Sequence, residues 1–174
     1  PDGRRVAVDR RVQGNTDIWL LDGARTSRFT FDATVDRDAV WSPDGSRIVF
    51  DSKRKGPYNI LYVKPSSGAG SEELLVESPQ PKIPTDWSAD GRFLLYHYRN
   101  PQTLRRDVWV LPLDGDRQPW VFLKTPYDSR WATFSPDGRW VAYMSNESGR
   151  LEIHARPFVT VGAAGREGAA GDRS

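Results

Sequence analysis

The chain has 174 residues, 37% of them hydrophobic and 28% charged, with 25 basic and 23 acidic side chains and a formal net charge of +2. This composition can build a core, which excludes a disordered chain, and the near balance of charge argues against a nucleic-acid binder. The absence of cysteine excludes disulfides, thiolate metal sites and a cysteine nucleophile, and no apolar run approaches the ~18 residues of a membrane-spanning helix.

Read in order, the chain repeats one short phrase. Pro1-Asp2-Gly3 opens it; Trp41-Ser42-Pro43-Asp44-Gly45, Trp87-Ser88-Ala89-Asp90-Gly91 and Phe134-Ser135-Pro136-Asp137-Gly138 follow, their glycines 42, 46 and 47 residues apart. That is the period of a propeller blade rather than of a helical repeat. Each phrase predicts a tight turn between antiparallel strands. Proline presets φ for a type I turn, aspartate tolerates the next position, and glycine takes the left-handed one that closes the loop with a bulge. Ala89 replaces proline without loss of the turn.

The first strand after each turn is aligned by its glycine. Three residues on stand Val6, Ile48, Leu94 and Val141, and five on stand Val8, Phe50, Tyr96 and Tyr143. Between them lie Ala7, Val49, Leu95 and Ala142. Both faces are apolar, as in a strand buried on two sides. A second strand follows at 17–21, 59–63, 107–111 and 152–155. Outer strands are expected over 28–31, 73–77 and 120–123, and innermost strands over 39–41, 85–87 and 131–134. The first repeat thus lacks its innermost strand and the fourth its outermost. Residues 159–174, rich in Gly and Ala with scattered charge, are expected to be a disordered tail.

The aromatic-Ser-Pro-Asp-Gly phrase, an apolar strand, a charged Gly-containing loop and an Ile-Trp type strand resemble the TolB-like (WD-like) β-propeller repeat over residues 1–158. The resemblance implies an all-β fold of about three and a half four-stranded antiparallel blades, a fragment of a six- to eight-bladed ring. It is similar in particular to the propeller modules at the C-terminal end of bacterial serine/threonine kinases, whose last repeat often ends like Ile153-His154-Ala155-Arg156-Pro157-Phe158. Related propellers cap the peptidase domain of prolyl oligopeptidase-like enzymes. The resemblance therefore implies a non-enzymatic module for protein–protein interaction or ligand sensing in a larger bacterial protein, or else the substrate-gating propeller of a serine hydrolase. It favours a periplasmic or extracytoplasmic compartment.

No catalytic, cofactor or metal residues are expected. His97 and His154 occupy ordinary repeat positions, there is no Gly-x-Ser-x-Gly elbow, and Ser42, Ser88 and Ser135 are placed to cap local backbone. The turn aspartates Asp2, Asp44, Asp90 and Asp137 have a turn role. Asp114-Gly115-Asp116 lacks the further oxygen ligands of a calcium loop. Trp41, Trp87 and Phe134 are expected to pack between blades. The one functional signal is a set of basic loops: Arg10 and Arg11; Lys53, Arg54 and Lys55; Arg99, Arg105 and Arg106; and Arg150. Corresponding loops of a propeller share a face, so these are candidates for a protein or peptide partner or an anionic ligand. Asp32, Asp36, Asp38 and Asp128 dilute the field. Lys53, Arg54 and Lys55 lie outside the apolar register, so replacing all three is expected to leave the fold intact.

Overall fold

A computed structural model of the chain describes residues 1–76 and 80–160. Among the described residues there are fourteen β-strands and no helix. The chain divides into two compact units, Pro1–Pro84 and Thr85–Ser174. The first holds β1 (Arg5–Val12), β2 (Asn15–Asp22) and β3 (Arg25–Arg28) as one sheet, and β4 (Asp36–Trp41), β5 (Arg47–Ser52), β6 (Ile60–Pro65) and β7 (Glu73–Val76) as another. A third sheet has the order β11-β10-β9-β8, from β8 (Lys82–Trp87), β9 (Phe93–Arg99), β10 (Arg106–Pro112) and β11 (Trp120–Leu123). The fourth is β12 (Ser129–Phe134), β13 (Trp140–Ser145) and β14 (Glu152–Pro157). The sheets have three, four, four and three strands, neighbours in sequence pairing in space, which is the blade pattern the repeats imply.

The turns form as their residues dictate. Gly45, Gly91 and Gly138 have φ of 71°, 76° and 68°, and their amides donate to Ser42, Ser88 and Ser135 carbonyls at 2.8–2.9 Å. Each serine hydroxyl then donates to the turn aspartate (2.6, 2.6 and 2.5 Å) and accepts from the amide five residues on at 2.9 Å.

Sheet packs on sheet through the alternation of the first strand. In the first unit the core contains Ile18, Leu20 and Phe29 from one sheet and Ile48, Phe50, Ile60 and Tyr62 from the next, with Ala7 against them. In the second it contains Phe93, Leu95, Val108 and Val110 facing Val141 and Tyr143. In both, the residue four after the glycine of the earlier blade meets the residues three and five after the glycine of the later one. β5 and β9 are buried along most of their length. β1 departs from the expectation: Val6 is 55% exposed, on the face opposite Ala7, the residue that packs on the second sheet.

Four strand starts move. The first outer strand was expected over 28–31, but Asp22 pairs with Arg25 around Gly23-Ala24, and this tight turn starts β3 at Arg25. Phe29 and Thr30 follow β2 irregularly, both amides reaching the Ile18 carbonyl (2.8 and 3.3 Å) while Thr30 Oγ1 accepts from the Ile18 amide at 3.0 Å. The innermost strands begin two or three residues before their expected starts, because pairing continues past a bulge. Glu77 of the expected 73–77 strand, and 161–174 of the expected tail, lie outside the described residues.

Candidate functional site

The polar side chains of the turns and of the two histidines are committed locally. Burial and hydrogen bonding act on them in opposite senses. Hydrogen bonds from Ser42, then from the Ser46 amide and hydroxyl, hold the Asp44 carboxyl down at about 2. His97 is 2% exposed; burial, reinforced by Arg106, lowers it to about 4, so it is neutral at physiological pH. His154 stacks on Tyr143, ring centroids 5.7 Å apart, and its Nδ1 lies 2.8 Å from Glu147.

The basic residues separate into two groups by what they touch. Arg54 is a packing residue: it is 15% exposed, its guanidinium makes two 3.1 Å contacts with the fully buried Asp36, pairs with Glu72, and lies 4.5 Å from the Tyr62 ring centroid. Its replacement is therefore not neutral for the fold, contrary to the expectation for the 53–55 triple substitution. Arg106 opens β10, and its backbone amide and Nη1 both donate to Asp128 (2.9–3.1 Å). Arg10 and Arg11 are not in a loop: β1 runs on to Val12, and Gln13 and Gly14, with φ of 51° and 91°, make a two-residue hairpin turn. Arg10 stacks 4.8 Å from the Trp19 centroid. Lys53, Lys55, Arg99, Arg105 and Arg150 are exposed, Arg99 reaching the Leu104 carbonyl (3.3 Å) and Arg150 Glu152 (2.6 Å). Of the acids expected to dilute the field, Asp32 and Asp36 pair with Arg54 and Asp128 with Arg106.

A feature that the basic loops did not suggest appears once in each unit. Seven residues before the turn glycine, the innermost strand bulges, and a non-glycine residue takes positive φ: Asp38 at 53° and Trp131 at 54°. The pairing registers break there, between Arg37 and Val40 and between Arg130 and Thr133. Each bulge meets the residue six after the glycine of the preceding blade. The Asp38 amide donates to Asp9 Oδ2 at 3.3 Å, and Trp131 stands edge-on to His97, centroids 5.5 Å apart. Pro84 holds the matching position of the third repeat, where its ring forbids positive φ. Strained non-glycine backbone concentrates where surroundings or function require it. At the second bulge Trp131 is 53% exposed, Arg130 lies 3.9 Å from Asp128, and Arg130 Nε and His97 Nδ1 are buried without a hydrogen-bond partner. Aspartate tolerates left-handed backbone, so Asp38 carried a weak sequence signal. Trp131 carried none.

Turn phrase, blade register and sheet order recur four times along one chain, and the profile of the TolB beta propeller domain matches residues 1–168. The chain belongs to the TolB beta propeller domain family. This propeller domain is 34% identical over 119 residues to tricorn protease homolog 1 of Streptomyces coelicolor, covering 66% of the chain and 11% of that protein. It is 31% identical over 103 residues to the uncharacterized peptidase YuxL of Bacillus subtilis, covering 55% of the chain and 16% of that protein. The crystal structure of TolB from Acinetobacter baumannii superimposes with a TM-score of 0.77 at 25% identity, over 90% of this chain and 39% of that one. The propeller domain thus spans less than half the length of each of these relatives.

Proposed function

We propose that this propeller domain is a non-catalytic binding module of a larger bacterial polypeptide, presenting its second bulge to an acidic protein or peptide partner. The observation that carries this reading is Trp131. A half-exposed indole on strained backbone returns little packing energy to the fold, whereas Trp and Arg dominate the energetics of interfaces. Around it Arg106 and Arg130 face a single carboxylate, Asp128, which leaves one positive charge over. The exposed Arg99 and Arg105 of the same unit add basic character that would favour an anionic ligand.

A random Glu/Tyr copolymer probes both components. Trp131→Ala should weaken its binding by about tenfold or more, the size of an interface hot spot. The combined change of Arg99 and Arg105 to Ser should lower affinity at low salt and matter little at high salt, because exposed charges are screened over about 8 Å at physiological ionic strength. Unchanged affinity in both variants would remove the reading.

For the parent polypeptide a peptidase is favoured by two relatives, a tricorn protease homolog and an uncharacterized peptidase. The serine/threonine kinase context rests on the closing strand Ile153-His154-Ala155-Arg156-Pro157-Phe158. The flanking coding sequence separates them: a hydrolase or protease domain supports the first, a kinase domain with a membrane span the second.

A further inference from the structure

The first bulge brings together three carboxylates from three strands: Asp9 of β1, Asp38 of β4 and Asp51 of β5. Asp51 is fully buried. Its Oδ1 accepts a 2.7 Å hydrogen bond from Asn59 Nδ2, but its Oδ2, equally buried, has no donor. Beside it in the sheet, next to its register partner Arg37, is Asp38, whose charge acts on Asp51, whose backbone is strained and whose amide is tied to Asp9. Among the described residues no such group is arranged to hold a metal ion.

The basic groups nearby do not neutralise the pair. From β4, Arg37 is opposite Asp51 in register, but its charge acts on Asp9. From β2, Asp17 holds Arg28 at 2.8 Å. After β5, Arg54 is engaged with Asp36 and Glu72, and from β6, Lys64 reaches the Phe29 carbonyl at 3.0 Å and Glu72 at 3.3 Å. Asn59, just before β6, is neutral. A fully buried carboxyl beside a second carboxylate is costly to ionise.

We propose that Asp51 and Asp38 hold one proton between them, Asp51 donating it from Oδ2 to the Asp38 carboxylate, and that this proton keeps the strained bulge closed, making the β1–β4 junction sensitive to pH. Losing the proton to solvent leaves two carboxylates in contact, and the bulge is the part that gives way. Burial first, then the Asp38 and Asp9 charges against the single hydrogen bond from Asn59, push Asp51 up to about 8. The folded state thus holds a proton that the unfolded state, with its carboxyl near 3.8, releases. Stability is fully present below that unfolded value and is lost as pH rises to about 8.

The window from pH 6.5 to 8 isolates this pair. His97 contributes only between about 4 and 6.5, and Lys82, lowered by burial to about 8, contributes above it. A residue-resolved carboxyl carbon NMR titration of the whole chain should show Asp51 titrating around 8. Thermal unfolding should show the wild-type Tm falling across the window. Asp51→Asn replaces the donor by an amide that can still donate to Asp38 and accept from Asn59, so its Tm should stay nearly constant there. Asp38→Asn removes the facing charge and should move the Asp51 midpoint downward, a check that stands if the first variant does not fold. An Asp51 midpoint in the ordinary carboxylate range, or an unchanged midpoint in Asp38→Asn, overturns the proposal. So does an equal Tm slope in wild type and Asp51→Asn.

Discussion

At the scale of single residues, the hydroxyl of Ser42 shows how a two-atom group holds a repeat together. It is buried, donates to Asp44 and accepts from the Arg47 amide, so Ser42→Ala removes two hydrogen bonds at one turn. The expected loss is about 1–2 kcal/mol, or roughly 2–8 °C in Tm at about 2–4 °C per kcal/mol. The defect should fade in acid as the Asp44 carboxyl, held at about 2, becomes protonated. Differential scanning calorimetry across pH checks both statements. His97 gives a second residue-scale prediction. Its folded value near 4 lies below the unfolded 6.5, so the unfolded chain binds the extra proton and wild-type stability falls as pH drops from 6.5 to 4. His97→Phe, which keeps a ring against Trp131, should flatten that part of the stability profile. A profile as steep as that of wild type would show that the buried imidazole is not its source.

At the scale of elements, the sheets within each unit interlock through alternation along the first strand, and the fully buried Asp36 is met by an arginine. Arg54, at the end of β5, joins Asp36 at the start of β4 to Glu72 just before β7 while lying over Tyr62. Removing it strands the fully buried Asp36, and breaking such a pair costs ~3–5 kcal/mol. Arg54→Ala should therefore lower Tm by on the order of 10 °C, and Arg54→Lys by less, since lysine keeps the charge and loses the fork. Chemical denaturation of the three proteins measures this. A variant as stable as wild type would show that Asp36 finds another partner. Asp86 serves the second unit in a similar way, accepting from Thr133 Oγ1 and the Phe134 amide (2.8 and 2.7 Å) and so fastening β12 to β8.

At the scale of the whole molecule, each unit carries its own core of two stacked sheets, and each leaves apolar groups on an edge. In the second unit Ile153 is 70% exposed on β14, the edge of its sheet; in the first, Val6 lies on the edge strand β1. Such edges pair with other chains. Concentration-dependent association of the isolated 174-residue chain is expected in sedimentation experiments, and Ile153→Lys should reduce it. A wild-type chain that stays monomeric at high concentration would show that these edges are protected.

The sequence by itself determined what depends on neighbours within a few residues. Turn type follows from Pro-Asp-Gly sterics, strand polarity from period-two alternation, and sheet order from the short connections between strands, so the family and the blades were legible from the four phrases. It also placed His97 and Asp51 at one repeat position without indicating that either was unusual. The tertiary structure decided what depends on the next blade. Whether position 38 or 131 bulges depends on pairing across β4–β5 and β12–β13. Whether Arg54 is a surface charge or a buried clasp depends on Asp36 and Glu72, each 18 residues away. Whether a carboxyl at position 51 is ionised depends on Asp38 and Asp9, which chain folding brings against it. The physical reason is range: turn sterics act along the chain, whereas desolvation and charge pairing act through space.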